Sequence, residues 1–178
     1  KSNHIICVNK NMKNELSHYN SSIHIIPCGV NTNIFKPDQI KRKNKNLKIA
    51  FPASILRPEK NYPFFKQIID ELNNRNIFNA IDVFEIHDMN RFQVNETLNT
   101  IDVLCMTSFH EGSPQIIKEA LACNTAIVSS NVGDVKNLLN GVYNCIVCET
   151  YDINIFCEAI IKVVNLKADN KNKKGTER

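Results

Sequence analysis

The chain has 178 residues, enough for one sizeable core and one complete domain. Its formal charge is +4, but nearly half of the 22 Lys and Arg residues fall within Lys41–Lys48 and Lys167–Arg178, which read as a loop and a solvated tail. Neither segment carries interleaved aromatics, which excludes a nucleic-acid surface; seven cysteines, mostly in apolar runs, exclude a disulfide framework and fit reduced thiols in a cytoplasmic protein.

In chain order, His4–Val8 is a short apolar strand and Lys10–Tyr19 a modestly amphipathic helix. Ile23–Pro27 is a second strand, running into the turn Cys28-Gly29-Val30-Asn31. Asn33–Asn46 reads as a linker. From Leu47 a regular rhythm begins: strand 47–53, helix 62–72, strand 80–86, helix 90–98, strand 101–107, helix 114–122, strand 126–130, helix 134–139, strand 144–148 and helix 153–164. Near-continuous apolar strands alternating with helices predict an α/β fold, a Rossmann-like three-layer arrangement with a parallel sheet covered on both faces. Ligands of such sheets bind beyond the carboxyl ends of the strands, where the topology switches. No apolar run approaches the roughly 18 residues that would span a bilayer. The chain starts on Lys with a strand that looks cut from something upstream, so it reads as part of a longer protein. Cys145-Ile-Val-Cys148 has redox or zinc spacing, but it sits in an apolar run without a basic neighbour, which favours core packing.

Two loops at the ligand edge carry chemistry. The first follows strand 101–107 and runs from Ser108 to Gly112. Ser113 then reads as a helix cap, with Pro114 at the first helical position. Free backbone N–H groups of residues 112–116 suit a phosphate or the hydroxyls of a polar ligand. Glu111 would compete with a phosphate there, and so suits a sugar hydroxyl. Glu119 borders the apolar face of the helix, and periodicity leaves it two roles: a solvated carboxylate, or an acceptor of two hydrogen bonds from a ribose diol. The second loop, Ala53-Ser54-Ile55-Leu56-Arg57-Pro58-Glu59-Lys60-Asn61, follows strand 47–53. Arg57 offers a fork of donors and Lys60 a compact charge, which together suit a diphosphate; the plainer alternative is an exposed charged loop neutralised by Glu59. Asn61 is expected to cap the next helix, and Asp134 the one after strand 126–130. His87 is a lone histidine after strand 81–86, either structural or facing a base or sugar. No cluster has metal-ligand spacing, and neither G-x-G-x-x-G nor a P-loop is present.

The spacing from Glu111 to Glu119 resembles the E-x7-E signature of the retaining nucleotide-sugar glycosyltransferases of family four. HEGSPQIIKEALACN followed by IVSSNVGDV is similar to that family's EGxPxxxxEAxAxxxPVVxxxxGG form. FPASILRPEKNYPF resembles the phosphate loop of a subgroup making bacterial polysaccharides, and IHIIPCGVNTNIFKP resembles the hinge motif that opens the family's C-terminal domain. These four ordered motifs extend the resemblance from about residue 3 to 165.

The resemblance implies the C-terminal, donor-binding half of a GT-B fold. Residues 1–22 would end an otherwise missing N-terminal acceptor domain, 23–166 would form the nucleotide-sugar domain, and 167–178 would be a basic polar tail. Glu111 would lie near the donor sugar, the amides of Gly112 and Ser113 beside Pro114 would contact sugar or phosphate, and Glu119 would hold the ribose. Lys60 matches the lysine that stabilises the diphosphate, with Arg57, Ser54 and His87 completing the site. Arg57 is a departure, since the usual arginine lies five or six positions before that lysine, where this chain has Ile55 and Ser54. Asp134 replaces the second Gly of the usual pair, and Cys28 the Asn before Gly29. The implied donor is a UDP-, GDP- or ADP-sugar, with no cofactor and no metal. The implied acceptor is a glycan or lipid-linked molecule held by the missing domain, with the parent peripheral to the inner face of a membrane. Rival readings are a non-catalytic donor-binding or regulatory half and a sugar-nucleotide epimerase. The E-x7-E spacing with the RPEKN loop favours the transferase.

Overall fold

The computed structural model describes residues 3–38 and 46–175, the side chains of 167–175 apart. Residues 39–45, inside the expected linker, lie outside the described residues, as do 176–178.

Five parallel strands build the main sheet: β3 (Leu47–Phe51), β4 (Ile81–Glu85), β5 (Val103–Met106), β6 (Ala126–Ser130) and β7 (Cys145–Cys148), in the order β4-β3-β5-β6-β7. Leu47 pairs with Ile81, Ile49 with Val103, Val103 with Ala126 and Ile127 with Cys145. Side chains alternate across the pleat and so feed two cores. Leu47, Ile49, Phe51, Val103, Cys105, Ala126 and Val128 face α2 (Tyr62–Asn74) and α6 (Ile153–Gly175). Ala50, Leu104, Met106 and Ile127 face α3 (Arg91–Thr100), α4 (Gln115–Ala122) and α5 (Val135–Leu139). Central strands covered on both faces are buried throughout, as β5 and β6 are; the two serines that end β6 are buried with their hydroxyls donating to backbone carbonyls. The edge strands β4 and β7 are only partly buried.

A smaller two-stranded parallel sheet pairs β1 (Ile5–Cys7) with β2 (Ile23–Ile25), with α1 (Lys10–Leu16) between them in sequence. The helix expected over 10–19 ends at Leu16, and Ser17–Tyr19 turn instead. The expected linker is structured at its start. Ile34 and Phe35 N–H groups both donate to the Asn31 carbonyl, at 3.1 and 2.9 Å, and this turn drives Phe35 into the second core. Helix α6 continues to Gly175 where a polar tail is expected, because Lys and Asn without Pro extend a helix that packing has already nucleated.

The chain crosses over between β4 and β5, so β3 and β5 lie side by side while the helices that follow them, α2 and α4, cover opposite faces of the sheet. This is the topological switch point, where a doubly wound sheet opens a crevice at its carboxyl edge. No helix among the described residues is long and apolar enough to cross a membrane. All seven cysteines are free. Burial raises the thiols of Cys145 and Cys148 to about 11 and about 12, and a protonated thiol is a poor nucleophile or metal ligand.

Candidate ligand site at the switch point

The loops after β3 and β5 are stitched together by backbone acceptors. Thr107 Oγ1 donates to the Lys60 and Asn61 carbonyls, each at 3.1 Å, and the Phe109 N–H donates to the Glu59 carbonyl at 2.9 Å. Residues 58–60 form one 3-10 turn, and Asn61 turns the chain with φ 56°, a left-handed value that Asn tolerates better than most residues. It stands at the start of α2 but makes no side-chain cap, because left-handed backbone does not aim Oδ1 at the helix amides.

That stitching brings together two residues 51 positions apart: Lys60 Nζ lies 2.5 Å from Glu111 Oε1, with both side chains largely buried. The Ser108 hydroxyl donates to the same oxygen at 2.7 Å. Glu111 and Lys60 therefore neutralise each other within the protein. An anion reaching Lys60 would have to displace Glu111, and would then meet an ammonium largely shielded from water.

Gly112, Ser113 and Pro114 follow, and the structure corrects how the helix begins. Ser113 does not cap it: its hydroxyl donates to Asp134 Oδ2 at 2.7 Å, and Pro114 occupies the cap position with no side-chain bond. Asp134 likewise makes no cap to α5, because its carboxylate is taken by Ser113. With no cap, the amides of Gln115 and Ile116 have no intrahelical acceptor, which leaves a positive helix end facing the loop.

The peptide at Gly112 is clamped from two sides. Asn9 Nδ2 donates to its carbonyl at 2.6 Å, while Asn9 Oδ1 accepts from Met12 N–H at 2.8 Å and caps α1. On the other side, Gly133 adopts φ +57°, and a Cβ there would stand 2.3 Å from the Gly112 carbonyl oxygen and 2.7 Å from that of Glu111. Asn11 Nδ2 adds a 3.2 Å bond to the Gly133 carbonyl. Local sequence does not mark Asn9 for this role. An Asn between an apolar strand and a helix signals a cap, but nothing nearby says that its other end reaches the glycine loop.

Glu119 is buried, its side chain 4% exposed. Arg91 Nη1 lies 2.7 Å from its Oε1 as an ion pair, without the alignment of a hydrogen bond. Burial holds the carboxyl above the ordinary carboxylate range, opposed by Arg91 and the Gln115 amide. The folded chain therefore binds this proton more tightly than the unfolded chain, and stability falls as pH rises from the ordinary value through the raised one. Glu119→Gln is expected to raise Tm at pH 7, because it removes the buried carboxylate whose ionised form the fold disfavours. That gain should shrink at pH 4, as calorimetry at the two pH values would show.

Ser54, Arg57 and His87 gather separately, lining a cavity of about 240 Å³ with Ile86, Met89 and Val94. Ser54 Oγ accepts from the Leu56 N–H at 3.2 Å. Arg57 turns away from Lys60 and pairs with Glu59, Nε to Oε1 2.7 Å, on the surface. His87 is half exposed and lies 3.1 Å from Asp88. The predicted residues therefore fall into a polar group at the start of α4 and a partly apolar hollow at the ends of β3 and β4.

A family model described as "Glycosyl transferases group 1" matches residues 65–178. No curated protein matches the sequence. Among solved structures, sucrose-phosphate synthase from Thermosynechococcus elongatus is similar with TM-score 0.72 at 14% identity, over 93% of this chain and 50% of that one. An S. aureus TarM variant in complex with Fondaparinux, alpha-GlcNAc-glycerol and UDP gives TM-score 0.75 at 15% identity, over 92% and 37%. Anabaena HepE in complex with UDP and glucose gives 0.69 at 12%, over 92% and 54%. At these identities the likeness shows the fold. The chain spans about a third to a half of the length of these structures.

Proposed function

From the premise that the chain belongs to the group 1 glycosyl transferases, and folds as one Rossmann-like half of the GT-B arrangement, we propose that it binds a nucleoside-diphosphate sugar at the switch point between β3 and β5. With an N-terminal acceptor domain, it would transfer the sugar, with retention of configuration, to a glycan or lipid-linked acceptor. One observation carries this reading. The buried side-chain oxygens or nitrogens without a hydrogen bond, among the described residues, are Gln115 Oε1, Glu119 Oε1 and Asp134 Oδ1. All three are acceptors, and all lie on or beside the first turns of α4. Glu119 Oε1 meets the Arg91 cation, while Gln115 Oε1 and Asp134 Oδ1 have no hydrogen-bond partner; such buried acceptors cost about 1–3 kcal/mol each, so a fold retains them where donors arrive from elsewhere. A ligand rich in hydroxyls brings such donors, and Lys60 beside the open helix end suits its phosphates.

In this reading Glu119 accepts from the ribose diol, while the amides of Gly112 and Ser113, held by Asn9 and Asp134, meet the distal phosphate and sugar. Lys60 leaves Glu111 to meet the diphosphate. As the glycosidic bond breaks, negative charge grows on the leaving phosphate oxygen, and Lys60 and the α4 terminus face it without reorganising. The freed Glu111 carboxylate then faces the sugar. The hollow lined by Ser54, His87 and Met89 takes the base, and Arg57 at its rim can swing from Glu59 toward the diphosphate. TarM and HepE, which share this fold, are each described in complex with UDP, which supports a nucleotide ligand here.

The test is calorimetric titration of the full-length protein with UDP-, GDP- and ADP-sugars, repeated with Lys60→Ala and Glu119→Ala. One donor should bind saturably, and each substitution should weaken it about tenfold or more, the cost of a charged hydrogen bond. Binding indifferent to both substitutions overturns the assignment.

A further inference from the structure

We propose that Arg91 is a positioning and selectivity residue that fixes the Glu119 carboxylate where it can accept from the ribose hydroxyls of a bound nucleotide. This inference rests on the nucleotide reading above and extends it to a residue that no motif marks.

Arg91 is the first residue of α3, and its backbone is fixed by a full capping box. Asn90 Oδ1 accepts from the Phe92 and Gln93 N–H groups at 3.0 Å each, and the Gln93 side chain accepts from the Asn90 N–H at 2.9 Å. Its guanidinium stacks over the Phe35 ring at 4.8 Å, and Phe35 is 1% exposed within the second core. Two immobile supports therefore aim a long cation at Glu119. The partners differ sharply in exposure, with Arg91 at 51% and Glu119 at 4%. The arginine thus lies between the buried carboxylate and water.

The pair is one-sided. A bidentate fork would engage both carboxylate oxygens; here Nη1 alone comes within 2.7 Å of Oε1, without full hydrogen-bond alignment. The arginine fixes one edge of the carboxylate and does not enclose it. The other side of the site is closed by the turn at Cys28-Gly29: Gln115 Nε2 donates to the Gly29 carbonyl at 2.8 Å and Lys118 Nζ to that of Cys28 at 3.1 Å. With Gln115 tied to that turn and Arg91 stacked on Phe35, the groups around Glu119 are held in place. A vicinal diol presents two hydroxyls at the right spacing for one carboxylate so positioned.

The experiment measures Kd of the full-length protein for UDP, GDP and ADP and for their 2′,3′-dideoxy counterparts, and takes the dideoxy-to-ribo ratio for the base that binds. Wild type should prefer the ribonucleotide by at least about tenfold, and Glu119→Ala should abolish that preference. Arg91→Ala should cut the ratio about tenfold while leaving dideoxynucleotide affinity near wild type, and Arg91→Lys should recover part of it. Adding Arg91→Ala to Glu119→Ala should change the ratio no further. A merely structural arginine would weaken both ligand classes alike; that result, or an unchanged ratio in Arg91→Ala, overturns the proposal. If no nucleotide binds wild type, or Glu119→Ala keeps the full preference, the nucleotide reading itself fails and this inference with it.

Discussion

Gly133→Ala is expected to disable ligand binding without touching any ligand. The added methyl would sit 2.3 Å from the Gly112 carbonyl oxygen and 2.7 Å from that of Glu111, both backbone atoms that no side-chain rotation can move aside. The same residue holds φ +57°, which costs an L-residue roughly 1–2 kcal/mol. Relief requires the 111–112 peptide to retreat, but Asn9 grips the Gly112 carbonyl at 2.6 Å, and Ser108 and Lys60 grip Glu111. Strain will therefore be shared between the fold and the loop. Urea unfolding should show a loss of about 2–4 kcal/mol, and titration of the folded fraction should show donor affinity reduced by more than tenfold. Gly141→Ala is the control, because Gly141 also has positive φ, at +75°, but a methyl added there would meet nothing within 4 Å. It should lose stability of the backbone kind alone and keep its affinity. Equal affinity in the two variants would show that the 111–113 loop does not form the site.

Lys60→Ala should produce the largest kinetic loss in the full-length protein. A preorganised donor facing developing charge is worth about 3 kcal/mol, or some 10²-fold in kcat, and the loss should fall more on kcat than on KM because the charge grows in the transition state. The obvious confusion is with Glu111. Removing Lys60 leaves that largely buried carboxylate with only the Ser108 hydroxyl, and its own displacement could mimic a catalytic defect. Combining Lys60→Ala with Glu111→Gln removes the unbalanced charge. Because Glu111 itself faces the sugar, the double variant should be no faster than Lys60→Ala even where it regains stability; recovery of kcat would assign the lysine to holding Glu111 and overturn both roles. Lys60→Arg should retain part of the activity, limited by a bulkier fork in a space fitted to an ammonium.

Local pattern and tertiary placement divided the information about this protein unequally. The α/β class, the parallel sheet and its two faces follow from apolar strands alternating with amphipathic helices, since a strand buried on both sides admits few polar residues. β6 runs from Ala126 to Ser130 where the pattern puts it, and the differences elsewhere are of a few residues at element ends, apart from α6, which runs on from Val164 to Gly175. The motif around Glu111 and Glu119 was likewise legible, because a strand end, a Gly-Ser-Pro turn and a helix start are all local signals. Periodicity could not decide Glu119, since a helix position bordering the apolar face is compatible with solvent or burial. Packing of α3 against α4 decided it, burying the carboxylate and placing Arg91 beside it.

Roles that depend on long-range partners were out of reach of local pattern. Ser113 and Asp134 each look like helix caps from their neighbours, yet they bond to each other across 21 positions. Arg57 and Lys60 look like one cationic pair, but the 3-10 turn between them sends Lys60 to Glu111 and Arg57 to Glu59. Phe35 lay in what composition marks as linker. By itself the sequence determined the layers, the ligand-bearing edge and the residue types available there, because these depend on short-range periodicity and turn chemistry. Only the tertiary structure decided which side chain meets which, because a hydrogen bond between residues 9 and 112 is set by the crossing of elements in space and leaves no trace in the spacing along the chain.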